Sequence, residues 1–202
     1  YPRPPMLYKY SLSSLDRYDK IITFSESNKR QLIEFKICNP NKIKVVPLGV
    51  DEEFFKMADI PKQQARKIMG LEENAKIVLI TGALQYKNLG NSLEAILRCK
   101  ERMHENIIAL RLGPQTDHST YLEAQYKNRL LIKSFKDLTR EQVGLVYRGA
   151  DMLLFPSWHE GFGMPLVEAM ACGIPTIISD RASLPEISAG TSLIVKPNNV
   201  EK

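Results

Sequence analysis

Two glutamates, Glu160 and Glu168, bracket the run Gly161-Phe162-Gly163-Met164-Pro165. The residues around them read as strand, loop, helix, strand. Met152–Phe155 is an apolar run with the signature of a buried strand, and it stops at Pro156. The loop Ser157–Met164 follows, Pro165 suits a first helical turn, Leu166–Cys172 continues the helix, and Gly173 stops it. Pro175–Ser179 reads as the next strand. This arrangement predicts several backbone N–H groups at a helix N-terminus, where free donors and the helix dipole favour oxygen-rich or anionic ligands. Gly161 and Gly163 let the backbone approach a ligand closely because no Cβ intervenes. Glu160 is expected to leave the strand end facing the same space. Glu168 is expected in the first helical turn, placed to accept hydrogen bonds from two neighbouring hydroxyls, as acidic residues of dinucleotide folds do for ribose. The ligand so described has a polyol at one end, a ribose at the other and negative charge between. Taken alone, Glu168 also fits an ordinary first-turn acid that complements the helix dipole.

A cation belongs in the same picture. The loop Gly82-Ala83-Leu84-Gln85-Tyr86-Lys87-Asn88 follows the apolar strand Lys76–Thr81. A lysine beside a crevice lined by helix N-termini can hold a diphosphate as a point charge.

The elements that must position these residues alternate. Lys20–Phe24 reads as a strand, Ser25 as the N-cap of a helix to about Lys36, and Ile43–Val46 as a strand. Pro47–Asp51, with its Pro and Gly, taken alone reads as a turn, and Pro61–Met69 as a short helix stopped by Gly70. Helix Asn91–Met103, strand Ile107–Leu112, helix Ser119–Asn128 and strand Leu130–Lys133 come next. Thr139 and Gln142 form a capping-box pattern opening a helix to Arg148. Leu193–Val195 closes the series. Strands alternating with helices predict an α/β fold with a doubly wound parallel sheet, whose ligands lie beyond the carboxyl ends of the strands. Gly82, Gly113 and the Glu160 loop all follow strands and are expected to converge on one crevice.

Composition narrows the classes. The 202 residues are 44% hydrophobic, enough for a substantial core. No apolar run reaches the roughly 20 residues of a membrane span, and no signal-peptide pattern appears. Cys38, Cys99 and Cys172 lack metal-ligand spacing and read as reduced core or near-core thiols of a cytoplasmic protein. The net charge of +5 is carried by residues 1–70, with 13 Lys/Arg against 8 Asp/Glu. That excess is expected either as a solvated basic surface or as a face for anionic lipid or an anionic acceptor, peripheral to the inner membrane face. No zinc-finger, helix-turn-helix or RNP signature supports nucleic-acid binding. No Asp-x-Asp is present, and no metal is expected at the site.

The run E-G-F-G-x-P-x-x-E-A-M-A-x-G-x-P, with Glu160 and Glu168 at its two acidic positions, resembles the donor-site signature of GT-B glycosyltransferases of family 4. The resemblance implies a Rossmann-like donor domain over residues 51–202 and the end of an acceptor-side domain over residues 1–50. Pro47–Asp51 (PLGVD) is similar to the family's passage between them, which would make Pro47–Asp59 the interdomain connection. By the same resemblance, most of an acceptor domain is expected to precede Tyr1 and closing helices to follow Lys202. It implies transfer of a sugar from a nucleotide-diphosphate donor to a glycan or lipid-linked acceptor, retaining and metal-independent. Donor-binding residues would be Gly82, Lys87, Gly161, Phe162, Gly163, Met164, Pro165 and Glu168. Glu160 would orient the donor sugar and support developing positive charge near its ring, and Lys87 would stabilise the leaving diphosphate, giving these two the catalytic roles. Ala83 stands where the family commonly carries an arginine, so one phosphate contact departs from the pattern, with Arg111 or Arg148 as the candidates to compensate for it. GDP-mannose and UDP-glucose are the donors that fit, with GDP-mannose slightly preferred. Trp158 reads either as packing or as a stacking surface for an acceptor sugar, His159 as a surface-loop histidine, and Glu186 as structural. Two rival readings remain at this level: a non-catalytic nucleotide-sugar binding module, and another GT-B enzyme such as an epimerase or phosphorylase.

Overall fold

The computed structural model describes residues 14–200. The Pro- and Tyr-rich opening, Tyr1–Tyr10, lies outside the described residues. The chain divides into two compact units between Gly49 and Val50.

In the first unit, β1 (Ile21–Thr23) and β2 (Ile43–Val45) run parallel, with Ile21 opposite Ile43. Helix α1 (Glu26–Glu34) joins them. Ser25 caps it, its Oγ accepting from the N–H of Asn28 at 3.1 Å, which satisfies one of the free donors of a helix start.

The second unit begins with α2 (Glu52–Met57), inside the stretch expected to be a plain connection. Asp51 caps it, accepting from the N–H of Glu53 at 3.1 Å. Its Phe54 and Met57 are buried in the main core, so burial of two apolar side chains turns the stretch into a packed helix. Then come α3 (Lys62–Ile68), β3 (Lys76–Thr81), α4 (Leu89–Met103), β4 (Ile107–Leu112), α5 (Asp117–Tyr126), β5 (Leu131–Phe135), α6 (Arg140–Gly149), β6 (Met152–Phe155), α7 (Met164–Ala171), β7 (Thr176–Ser179), α8 (Leu184–Ile187) and β8 (Leu193–Val195). Helix α4 starts two residues earlier than expected, and α5 is capped by Thr116 rather than opening at Ser119. In α6 the Thr139–Gln142 capping box forms in both directions.

All six strands of this unit are parallel, in the order β5-β4-β3-β6-β7-β8. The fold is α/β and doubly wound. Its faces follow from the two-residue period of a strand. Ile77 and Leu79 of β3 join the larger core with Leu153, Phe155, Leu166 and Tyr147. Ile80 of the same strand enters a second core with Leu89, Leu93, Ile96 and Leu97, the helical stripe of α4. Cys99 faces outward from α4 and is exposed, against the expectation of a near-core thiol, while Cys172 is buried. Where β3 and β6 begin, Asp151 takes the Arg66 guanidinium and the Lys62 ammonium, each at 2.7 Å, and accepts from the N–H of Ile77.

The strand order places the switch point between β3 and β6. From β3 the chain winds one way to β4 and β5, and from β6 it winds the other way to β7 and β8. In such sheets the crevice opens beyond the carboxyl ends of those two strands.

Candidate functional site

The loops leaving β3 and β6 meet at that crevice. Lys87 closes a 3-10 turn, Gln85–Lys87, after β3. Its Nζ donates to Glu160 Oε1 at 2.8 Å, and both side chains are largely shielded from solvent. The ammonium also lies 4.9 Å from the ring centre of Phe155 and 5.4 Å from that of Tyr86, distances at which an aromatic face attracts a cation. Gly82 makes this placement possible. Its φ is +86°, and a Cβ there would sit 2.8 Å from Lys87 Cγ, so only glycine leaves room for the lysine stem.

Hydrogen bonds bind these loops to each other and to the segment after β8. The N–H of Trp158 donates to the carbonyl of Tyr86 at 2.8 Å. Asn88, in the left-handed conformation with φ 62°, donates from Nδ2 to the carbonyls of Pro156 at 3.0 Å and Pro197 at 2.6 Å. From the β7 side, the buried Ser183 hydroxyl lies 2.9 Å from the carbonyl of Glu160 and 3.0 Å from that of Phe162. The loop carrying Glu160 is therefore held from both sides.

Gly163, with φ 99°, is the N-cap of α7, and Pro165 occupies its first turn. Leu166 makes the first intrahelical bond, to the carbonyl of Gly163 at 2.9 Å. The N–H groups of Phe162, Gly163 and Met164 precede it, at the start of the helix. Because the helix begins at Met164, Glu168 falls in its second turn and not in the first. The expectation of a first-turn acid, and with it the simple dipole explanation, is corrected. Glu168 instead turns toward the protein, and Oε2 accepts from the hydroxyl of Tyr147 at 2.8 Å. Burial raises the Glu168 carboxyl above its usual range, against the pull of the Tyr147 hydrogen bond and the charges of Arg140 and Lys87. Lys87 thus contacts one glutamate and acts electrostatically on the other.

The two arginines weighed for a phosphate contact are engaged elsewhere. Arg111 is buried, paired with Glu123 and bonded to the carbonyl of Pro114 at 2.9 Å. Arg148 donates to the carbonyl of Ile60 at 2.6 Å. Ala83 is buried, at 3% exposure. Trp158 is partly exposed, with the Arg181 guanidinium 5.9 Å from its ring centre, and His159 is half-buried. Glu186 lies in the first turn of α8.

The reading of the sequence missed Tyr147, Asn88 and Ser183 as parts of this site. Tyr147 carried only one signal, a hydroxyl on the apolar face of a helix. Asn88 carried one too, a residue type that tolerates the left-handed region at a strand–helix turn. Thr81 Oγ1 and Ser157 Oγ, at the same strand ends, are buried with no hydrogen-bond partner within the described residues.

The six-stranded parallel sheet with its crevice at the switch point is a Rossmann-like architecture, and the chain matches the fold of solved GT-B glycosyltransferases over nearly all its length. A glycosyltransferase from Rickettsia africae superposes with a TM-score of 0.78 at 20% identity, covering 100% of this chain and 55% of that one. Anabaena HepE in complex with UDP and glucose superposes with a TM-score of 0.77 at 17% identity, covering 96% of this chain and 54% of that one. Residues 61–202 match the family model of the glycosyl transferases group 1, and the chain belongs to that family. Among curated relatives, D-inositol 3-phosphate glycosyltransferase of Mycolicibacterium gilvum is 28% identical over 190 residues, covering 91% of this chain and 42% of the relative. Its counterpart from Mycobacterium marinum is 29% identical over 190 residues, covering 91% and 40%. The chain spans less than half the length of these relatives.

Proposed function

We propose that the second unit is the donor-binding half of a retaining, metal-independent hexosyltransferase of family 4, which moves a sugar from a nucleotide-diphosphate sugar to a glycan or lipid-linked acceptor. The observation that carries this reading is the convergence of Lys87 and Glu160 at the switch point, beside the start of α7 and within electrostatic reach of Glu168. The nucleotide ribose hydrogen-bonds Glu168. The diphosphate lies against Lys87 and the N–H groups near Gly163. The donor sugar reaches Glu160 and the backbone of Phe162, Gly163 and Met164. As the glycosidic bond breaks, negative charge grows on the leaving diphosphate, and the preorganised cation and N–H donors stabilise it. Glu160 orients the sugar and supports the positive character developing near its ring.

The solved HepE complexes hold UDP and glucose or UDP-glucose, which favours a UDP-sugar here over the GDP-mannose preferred from sequence. Metal independence rests on the absence of Asp-x-Asp and on Lys87 meeting the phosphates. Among the described residues, no helix is long and apolar enough to cross a membrane. The basic excess of residues 1–70 supports a peripheral contact with anionic lipid on the cytoplasmic side.

One observation favours the rival reading of a non-catalytic binding module: Ala83, Arg111 and Arg148 leave Lys87 without a second cation from those positions. Calorimetric titration with UDP, GDP, UDP-glucose and GDP-mannose, followed by product analysis with the bound donor, tests both. Saturable binding lost in Glu168→Ala, with sugar transferred to an acceptor, is expected. Binding without transfer by the full-length protein selects the rival. Absence of binding to any of the four rejects the donor site.

A further inference from the structure

Tyr147 stands on α6, 21 residues before Glu168 in the chain, yet its hydroxyl is the group that meets the Glu168 carboxylate. The side chain is 1% exposed. Its ring is held edge-on against Phe54, with centres 5.9 Å apart and planes at 82°. The helix beneath it is pinned at both ends, by the Thr139–Gln142 capping box and by the Arg148 bond to the carbonyl of Ile60. Burial, and then the charge of Glu168, hold the phenol well above its ordinary range, so it keeps its proton and serves as a fixed donor. An ionised carboxylate accepts through two oxygens. The tyrosine takes Oε2, and the ligand is left Oε1.

We propose that Tyr147 is a positioning residue: by holding Oε2 it fixes the Glu168 carboxylate so that the other oxygen meets the ribose hydroxyls of a bound nucleotide. This rests on the donor-site reading above. Such support from outside the binding shell orients a binding group before the ligand arrives, so less side-chain freedom is lost on binding. The alternative is that the phenol merely satisfies its own buried hydroxyl. The two differ in one respect: only a positioning role makes Tyr147 sensitive to whether the ligand carries ribose hydroxyls.

The experiment is a calorimetric titration with UDP and GDP and with their 2′-deoxy and 3′-deoxy forms. It uses the wild type, Tyr147→Phe, Glu168→Gln and the double variant. The wild type is expected to prefer the ribonucleotide by about tenfold, the scale of one well-made hydrogen bond to a charged group. Tyr147→Phe keeps the ring and is expected to weaken the ribonucleotide several-fold, on the order of that same bond, while changing the deoxy forms less than about twofold. In the Glu168→Gln background the tyrosine substitution should add nothing, the signature of two residues acting as one unit. Equal losses for ribo and deoxy forms, or an unchanged ratio, overturn the positioning role and leave the donor site standing. If Tyr147→Phe does not fold, Glu168→Gln alone decides, because a full ribose preference in that variant overturns the proposal. Failure of the wild type to bind either nucleotide overturns the donor-site reading and this proposal with it.

Discussion

Lys87 Nζ and Glu160 Oε1 are 2.8 Å apart although 73 residues separate them in the chain. The pair joins the ends of the two strands between which the sheet changes winding direction, and it occupies the place proposed for the diphosphate and the donor sugar. In that reading a diphosphate competes with Glu160 for the same ammonium. Glu160→Gln removes the competitor, so its affinity for free UDP or GDP should rise a few-fold. Its rate of sugar transfer should fall by about a hundredfold, the scale of losing one electrostatic stabiliser. Lys87→Met should weaken the same nucleotides at least about tenfold, since it removes the charge the phosphates meet. Titration alongside a transfer assay separates the two outcomes. An unchanged affinity in Lys87→Met would show that the phosphates lie elsewhere.

Gly82→Ala tests the room around the lysine stem. The new Cβ would meet Lys87 Cγ at 2.8 Å on a residue with φ +86°. A left-handed alanine costs about 1–2 kcal/mol, and the lysine must shift. Chemical denaturation should show that loss of stability, with nucleotide affinity falling in step. A variant that loses stability but binds normally would place the phosphate contact away from Lys87.

The pH dependence of nucleotide binding should carry the mark of Glu168. Burial raises this carboxyl, while the Tyr147 hydrogen bond and the charges of Arg140 and Lys87 oppose the rise. The neighbouring Cys172 thiol, pushed up to about 12 by burial and by Glu168, stays neutral. A carboxyl raised on folding contributes stability that is full below the unfolded glutamate pKa and is lost as pH rises through the folded one. Ribose binding runs the other way, since it needs the ionised form. Affinity for UDP or GDP should therefore fall on acidification at a pH above the ordinary glutamate value of about 4.3. Glu168→Gln should flatten that profile, and Tyr147→Phe should move the break upward.

Ser183→Ala removes the hydroxyl shared between the carbonyls of Glu160 and Phe162. Leaving buried carbonyls short of a donor costs about 1–3 kcal/mol, which thermal unfolding should report as a drop of several degrees, about 2–4 °C per kcal/mol for a chain of this size. Because the same carbonyls fix the loop bearing Glu160, transfer should suffer more than nucleotide binding. Equal effects on both would mean that the serine supports the fold and not the loop in particular.

Asp151, at the opposite end of the sheet, tests stability without touching the site. Burial pushes its carboxyl up, but the Lys62 and Ile77 hydrogen bonds and the Arg66 charge together outweigh burial and lower it. A carboxyl lowered on folding contributes stability above its unfolded pKa and loses it as pH falls through the folded value. Asp151→Asn should cost about 2–3 kcal/mol at neutral pH, because Arg66 is left buried without its counterion. The loss should shrink toward acid pH, and nucleotide affinity should stay unchanged. Urea unfolding at several pH values measures it.

Much of this was present in the linear chain. The alternation of apolar runs with Gly-stopped helices was enough for a doubly wound parallel sheet. β3, β4 and β6 lie where their apolar runs lie, because strands largely buried on both faces advertise themselves as continuous hydrophobic segments, and the exposed edge strand β8 coincides with its short apolar run Leu193–Val195. The run from Glu160 to Glu168 was legible because its residues are neighbours in sequence, and local spacing fixes a strand, a glycine loop and a helix start. The exact start of α7 was not. One residue of difference in a helix origin moves Glu168 from the dipole end into the second turn, and propensities do not resolve a single residue. What no local pattern carries is pairing across the fold. The meeting of Lys87 with Glu160 depends on β3 and β6 lying side by side, and that of Tyr147 with Glu168 on how α6 and α7 pack over one core. The fates of Arg111 and Arg148, bound to Glu123 and to the carbonyl of Ile60, were settled the same way. Sequence determined which chemistry was available; only tertiary packing decided which charges became partners, because a buried side chain bonds to whatever the sheet order brings within about 3 Å.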